Sequence, residues 1–162
     1  MDCFGSSLAN YFEINDESQL AEKVYGEFRD HPFVASDGSV RALLCTRLVH
    51  DLTGGTYHGK FQYLSFKKDT QESLERDIGG HAAEALKAID EELRDGRLVG
   101  GLDRISYRGQ ALILQSLPTR ELQHWLVDCD DGTIINNGEV RSISDSALFF
   151  ATINAVLQIY KV

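Results

Sequence analysis

Hydrophobic residues recur every three or four positions in several segments of the chain, which is the spacing of an amphipathic helix. The first predicted helix runs from about Asp16 to Asp30 and ends before Pro32, because proline cannot continue a helix. The longest runs from Asp69 to Gly96, and its apolar stripe comprises Leu74, Ile78, Ala82, Ala85, Ile89 and Leu93. Gly79 and Gly80 interrupt this stripe, so the pattern predicts one bent helix or two shorter helices.

Two further helical segments are predicted near the ends of the chain. Near the start, Leu8, Tyr11 and Phe12 predict a short helical turn. At the other end, the spacing predicts a final helix with Ser144 or Asp145 as its cap. The apolar stripe of that final helix comprises Phe149, Ile153, Val156 and Tyr160.

Residues 40 to 52 fit two structures. Residues 40–49 are rich in aliphatic residues, and two glycines separate them from the apolar run at residues 57–66, which predicts a β-hairpin. Leu44, Leu48 and Leu52 repeat every four residues, however, which predicts a helix. Periodicity alone does not decide between the two structures, and the hairpin is the one that we predict, with the helix as the alternative.

After Gly101 the pattern changes to short apolar runs divided by turn residues, which is typical of an antiparallel meander. The predicted strands are residues 104–107, 111–117, 124–129 and 133–135. Together with the helices, they predict an α+β fold in one globular domain spanning residues 1–162. We expect an antiparallel sheet of five or six short strands packed on about three helices, with a single layer of helices on one face.

Charge and cysteine content narrow the functional classes. The formal net charge of −9 opposes binding to nucleic acid or to an anionic membrane, so we expect a basic protein partner. Cys3, Cys45 and Cys129 form no C-x-x-C pair, which argues against a disulfide framework and a thiolate zinc site. The first residues lack the pattern of a signal peptide, and no apolar run is long enough to span a bilayer. We therefore expect a cytoplasmic protein, and no motif predicts a cofactor.

The acidic residues are concentrated in the longest predicted helix. Residues 69–95 contain nine acidic and three basic residues, a net −6 out of the chain's −9. Carboxylates on the solvent side of such a helix attract a basic surface over long range. The leading prediction is a small, non-enzymatic binding protein of the immunity, inhibitor or chaperone kind. Its predicted partner-binding residues are Glu84, Asp90, Glu91, Glu92 and Asp95.

An alternative prediction is a cysteine hydrolase. A nucleophilic cysteine at the start of a helix, a histidine base and an amide or carboxylate that orients the histidine together perform acyl transfer. Cys3 precedes the first predicted helical turn, and His124 opens a predicted strand. Asp128, Asn136 and Asn137 are available to orient the histidine.

The order of these residues resembles the papain-fold cysteine proteases among type III secretion effectors, such as the YopT-like group. That family has a Cys-x-Gly opening, a strand that begins with histidine, an Asp-Pro-Asn-x-Gly-Glu turn and a closing aromatic helix. This chain has Cys3-Phe4-Gly5, then His124, then Asn136-Asn137-Gly138-Glu139. Ile134-Ile135 stands where the family has Asp-Pro. The resemblance implies a catalytic Cys3, His124 as base, and Asn136 or Asn137 as the orienting residue.

A metal site is the weakest of the alternatives. A hairpin turn at Gly54-Gly55 would bring His50, Asp51 and His58 together, and two histidines with a carboxylate can bind zinc or iron. Their spacing matches no metal-binding motif, so no metal ion is predicted.

Overall fold

The computed structural model describes residues 3–116, 123–143 and 152–162, and it confirms the α+β class. Its helices are α1 (Cys3–Ile14), α2 (Ser18–Glu27), α3 (Cys45–Leu52), α4 (Gln71–Ile78) and α5 (Ala82–Arg94). Its strands are β1 (Tyr57–Tyr63), β2 (Leu98–Val99), β3 (Ala111–Ser116), β4 (Gln123–Asp128), β5 (Thr133–Asn136), β6 (Glu139–Ser142) and β7 (Thr152–Lys161). No helix within the described ranges is long and apolar enough to cross a membrane.

The strands form one sheet in the order β2-β1-β7-β3-β4-β5-β6. The short β2 runs parallel to β1, and the other neighbouring pairs are antiparallel. The described sheet therefore has seven strands, compared with the five or six predicted from the sequence. The strand β7 lies between β1 and β3, although it follows both in the chain.

The two faces of the sheet contribute to different hydrophobic clusters. All five helices contribute buried residues to the larger cluster, which also contains Leu112, Leu114, Trp125, Val127 and Leu157 from the sheet. The smaller cluster contains the strand residues with the opposite orientation, namely Ala111, Ile113, Leu126, Ile134 and Val156. Side chains alternate between faces along a strand, so these two clusters identify the helix-covered face and the opposite face.

Helix α1 is much longer than the predicted helical turn, and it is buried on nearly every side. Phe4, Leu8 and Phe12 are four residues apart, so they share one face of the helix, and none of them is exposed. Gly5, Ser7, Ala9 and Asn10 are buried as well. Helix α1 packs between the sheet and α2, which begins two residues later than predicted.

The structure decides the two segments for which the sequence left alternatives open. The predicted hairpin strand at residues 40–49 is wrong, because residues 45–52 are helical. The buried residues of α3 are Cys45, Thr46, Leu48, Val49 and Leu52, which place one side of the helix in the core. The long acidic segment is divided into α4 and α5 by a short 3-10 turn at Gly79–His81, where Gly79 has a φ of +60°. Glycine adopts this backbone conformation without the steric cost that other residues incur. The structure therefore confirms the prediction of two helices.

The predicted final helix is wrong over the residues that the structure describes. Residues Thr152–Lys161 form β7, which pairs with β1 on one side and β3 on the other. Ala155 and Leu157 face the helices whereas Val156 faces the opposite side, so this strand is buried on both faces. Apolar residues then occur at consecutive positions and mimic a helical stripe. Ser144, Asp145 and Phe149 lie outside the described residues. The predicted strand at residues 104–107 is irregular chain.

Candidate functional site

A histidine–asparagine pair lies where strand β4 begins. His124 is the second residue of β4, and its Nε2 lies 2.5 Å from Oδ1 of Asn136, the last residue of β5. Both side chains are half-buried. An amide oxygen only accepts hydrogen bonds, so Nε2 of His124 carries the hydrogen and donates it. In the neutral imidazole, Nδ1 then retains a lone pair that can take a proton.

Strand pairing explains this contact. Strands β4 and β5 are antiparallel, with Val127 opposite Ile135 and Asp128 opposite Ile134. Extending that register places Asn136 diagonally across from His124 on the same face, within reach of a long side chain. Asn137 is exposed in the turn that follows β5 and has a φ of +50°. Asp128 lies at the far end of β4, where it accepts a hydrogen bond from the hydroxyl of Tyr107. Of the three predicted orienting residues, Asn136 is therefore the one that contacts His124.

Cys3 is the first residue of α1, and α1 begins near the His124 end of β4. The ring of Phe4 lies 5.0 Å from the ring of Trp125, which follows His124 in the strand. At the opposite end of α1, the hydroxyl of Tyr11 donates a hydrogen bond to the carbonyl oxygen of Ile159. The start of α1 and the histidine–asparagine pair therefore lie at the same end of the sheet. They lie on different faces, however, because α1 packs on the face of Trp125, whereas His124 alternates with Trp125 and faces the other side.

The other two thiols are in environments that suppress ionisation. Cys45 is fully buried in α3, and this burial raises its pKa well above the ordinary value. The pKa of Cys129 is raised by partial burial and by the nearby carboxylates of Asp131 and Asp128. Since the thiolate is the nucleophilic form, neither residue is suited to nucleophilic chemistry at neutral pH.

The predicted acidic surface is only partly available to a partner. Glu84, Asp90 and Asp95 are exposed, whereas Glu91 is half-buried and lies 2.7 Å from Arg47. Glu92 is completely buried. A buried carboxylate cannot contact a partner, so the inclusion of Glu92 in the predicted binding surface is wrong.

Glu92 instead holds α5 against the sheet. Its Oε1 lies 2.8 Å from Nε2 of His58 on β1, and its Oε2 accepts a hydrogen bond of 2.6 Å from Nε of Arg97. Burial alone would raise the pKa of Glu92, but hydrogen bonds from Arg97 and His58 outweigh that effect and hold it below its ordinary value. The pKa of His58 is lowered, chiefly because the imidazole is buried.

The helical repeat of α5 indicates that Glu92 is buried. Ala85, Ala88 and Ile89 are buried on α5, and Glu92 follows Ile89 by three positions and Ala88 by four. A residue at those spacings faces the core whatever its polarity. Glu92 was predicted to be exposed because its charge was considered without its position on the helix. Arg97 had no comparable signal because it lies after the end of α5.

The three residues considered as a metal site do come together. The rings of His50 and His58 lie 4.8 Å apart, and Asp51 accepts hydrogen bonds from His31 and His50. Within the described ranges, however, no group of three or more histidine, cysteine, aspartate or glutamate side chains is arranged to hold a metal ion.

An apolar groove follows the side of α5 that faces β1. It encloses about 250 Å³, and its apolar lining comprises Leu43, Tyr63, Phe66, Leu86, Ile89 and Leu93. Asp90 stands at its rim, and Leu93 is 43% exposed. Asp90 therefore belongs to the surface of the groove, whereas Glu84 lies on another side of α5, beside Lys87 and Glu91.

No protein-family model, no curated protein and no solved structure matches this chain.

Proposed function

We propose that this protein is a papain-like cysteine hydrolase in which Cys3 is the nucleophile, His124 the base and Asn136 the orienting residue. The observation that carries the proposal is the hydrogen bond from Nε2 of His124 to Oδ1 of Asn136. It fixes the imidazole so that Nδ1 is available for proton transfer. Cys3 lies at the start of α1, at the same end of the sheet, so the proposal requires the Cys3 thiol to reach His124 past that end.

Each side chain has one task in the proposed reaction. His124 Nδ1 takes the proton of the Cys3 thiol, and the sulfur attacks the carbonyl carbon of the substrate. The protonated imidazole then donates that proton to the leaving group, which departs as the acyl-enzyme forms. Water hydrolyses the acyl-enzyme with the help of the same histidine. Asn136 keeps the imidazole in one tautomer and orientation throughout, which is the task of the third group in such triads.

Asn136 also supplies the hydrogen-bond acceptor that this chain lacks at the place of the resembled family's aspartate. At the place where that family has aspartate, this chain has Ile134, which is completely buried. An aliphatic side chain cannot accept a hydrogen bond from an imidazole, so the family's carboxylate has no counterpart at that position. The amide oxygen of Asn136, two residues later, takes over the orienting role.

Thiol labelling tests this proposal. With iodoacetamide at pH 7, we expect Cys3 to react at least about tenfold faster than Cys45 and Cys129, because only a thiol paired with a base has a large thiolate fraction at that pH. Peptide mass spectrometry after timed quenching reports the three rates separately. Slow reaction of Cys3, at the rate of Cys129, would refute the hydrolase proposal.

A protein-binding function is a second proposal, favoured by the groove beside α5. Apolar side chains next to an exposed carboxylate, Asp90, suit a partner segment that presents both apolar and basic residues. Glu84 and Asp90 are exposed on this helix, and the acidic segment gives the surrounding surface its negative potential. An inhibitor or immunity protein that masks a basic partner would use such a surface.

Charge-reversal variants test whether α5 is the docking surface or whether association depends only on the net charge of the protein. We expect the double substitution of Glu84 and Asp90 by lysine to slow association with a partner isolated from the host by roughly tenfold at low salt. The control is the double substitution of Glu22 and Glu27 on α2, which are exposed and change the net charge equally. Stopped-flow association rates at two salt concentrations provide the measurement. Equal effects of the two double variants would exclude α5 as the docking surface.

A further inference from the structure

Asp69 is a carboxylate with one oxygen unpaired and little of its side chain exposed. The side chain is 8% exposed, and its Oδ1 accepts a hydrogen bond of 3.3 Å from Nη1 of Arg41. No described residue donates a hydrogen bond to its Oδ2. Removing a carboxylate from water is costly unless donors satisfy it, so this oxygen is suited to a donor from another molecule.

The charged groups around Asp69 leave an excess of negative charge. Arg41 is shared between Asp69 and the exposed Asp77, whose Oδ2 lies 2.6 Å from Nε of Arg41. One guanidinium therefore faces two carboxylates. Lys67 and Lys68 precede Asp69 in the chain, but both are exposed and neither forms an ion pair with a described residue. The place beside Asp69 can therefore accept one further positive charge.

Asp69 lines two neighbouring cavities. One is the apolar groove beside α5, and the other encloses about 240 Å³. Leu43, Phe66 and Asp69 line both, so the carboxylate lies where the two cavities meet. The exposed side chains of Lys68 and Asp90 stand at the rim of the groove, so the groove opens to solvent. A ligand from solution can therefore reach Asp69 through an apolar space.

The combination of an apolar space and an unpaired carboxylate oxygen matches the side chain of lysine or arginine. Each of these side chains has an apolar stem that ends in a positively charged N–H donor. The stem would lie against Leu43 and Phe66, and the ammonium or guanidinium would donate to Oδ2 of Asp69. A neutral side chain of the same length would fill the space but leave the oxygen unpaired, which is the basis of strong discrimination.

We propose that the cavity at Asp69 binds a lysine or arginine side chain of a partner protein. This inference rests on the second proposed function, because it names the group that the groove beside α5 would recognise. An ion pair formed at Asp69 is less screened by water and salt than one formed at the exposed Asp90. Asp69 is therefore expected to determine which side chain is bound, whereas Asp90 contributes mainly to long-range attraction.

Matched small probes test the inference without a partner. Nα-acetyl-lysine methylamide and Nα-acetyl-arginine methylamide carry the basic groups, and Nα-acetyl-norleucine methylamide has an aliphatic side chain without a charge. Each probe is titrated into the full chain, and the methyl resonances of Leu43 and Ile89 are followed by NMR. We expect at least one basic probe to bind about tenfold or more tightly than the norleucine probe. Equal affinities of all three probes, or no shift with any of them, would overturn the proposal.

Asp69→Asn keeps the shape of the side chain and removes its charge. We expect this variant to lose the tenfold preference for a basic probe over the norleucine probe. The matched control is Asp90→Asn, which removes the same charge from the exposed rim of the groove. Its effect should be less than about twofold, because water screens an exposed charge. Equal losses in the two variants would show that Asp69 is not the recognition group.

A pH titration of the original protein keeps the inference falsifiable if Asp69→Asn fails to fold. Burial raises the pKa of Asp69 above its ordinary value. Protonation removes the negative charge, so the affinity for the basic probe should fall as the pH decreases through this raised pKa. The affinity for the norleucine probe should not change. An affinity for the basic probe that stays constant down to about pH 3.9, the ordinary value for aspartate, would contradict the inference.

The probe experiment and the partner experiment fail independently. If the basic probes show no preference but reversal of Glu84 and Asp90 slows association with the partner, α5 remains the docking surface and the inference about Asp69 is wrong. If a basic probe binds at Asp69 but the charge reversal has no specific effect, the site for a basic side chain stands and docking on α5 is refuted.

Discussion

Replacing His124 by alanine is expected to lower the alkylation rate constant of Cys3 at pH 7 by at least about tenfold. The imidazole takes the thiol proton in the proposed site, so its removal leaves Cys3 in the thiol form. The rates at which Cys45 and Cys129 react should be unchanged, because no described contact joins either side chain to His124. Timed labelling and peptide mass spectrometry of the variant and the original protein give these rates.

The two asparagines provide the internal control for that experiment. Asn136→Ala removes the hydrogen bond to His124, so we expect a smaller but clear loss of Cys3 reactivity. Asn137→Ala changes an exposed turn residue and should leave the rate unchanged. Equal effects of the two alanine substitutions would show that Asn136 has no orienting role. A Cys3 rate that is indifferent to the loss of His124 would refute the triad as a whole.

Replacing Glu92 by alanine is expected to lower the free energy of unfolding by about 2 to 3 kcal/mol. The carboxylate is completely buried, and its removal leaves the buried imidazole of His58 without its hydrogen-bond partner and Arg97 paired with Asp95 alone. Urea unfolding followed by circular dichroism measures the loss. Glu84→Ala on the same helix is the control, and a change within about 0.5 kcal/mol is expected because Glu84 is exposed. Similar losses for the two variants would show that the hydrogen bonds of Glu92 to His58 and Arg97 do not hold α5 against the sheet.

The pH dependence of stability follows from the same cluster. The pKa of His58 is lowered in the folded protein. The contribution of His58 to the free energy of unfolding is therefore complete above the histidine pKa of the unfolded chain, about 6.5, and is lost as the pH falls below that value. The pKa of Glu92 is also lowered, so its contribution is lost at more acid pH, as the carboxylate becomes protonated. In the Glu92→Ala variant, we therefore expect stability to lose the part of its pH dependence that lies at the more acid pH, where Glu92 becomes protonated.

The sequence predicted the class of the fold because amphipathic spacing in α4 and α5 and turn residues among β3, β4 and β5 are local signals. It failed at β7, where burial on both faces produces apolar residues at the spacings of a helix as well as of a strand. The sequence also predicted too short a helix at α1. Because α1 is buried on nearly every side, its polar residues do not recur at the spacing of an amphipathic helix.

The candidate site was predicted in part for a related reason. Cys3, His124 and Asn136 were identified by residue type and order, but the choice between Asn136 and Asn137 depended on the register of β4 and β5. Residue type suggests a chemical group, whereas only the fold determines what that group contacts.

The central place of β7 has a consequence for how the protein is made on the ribosome. Strand β7 comes after every other described strand in the chain, yet it joins β1 to β3. Until residue 161 has left the ribosomal exit tunnel, β1 and the β3–β4 hairpin cannot be united in one sheet. The shortened chain would expose the edges of both, which are templates for aggregation.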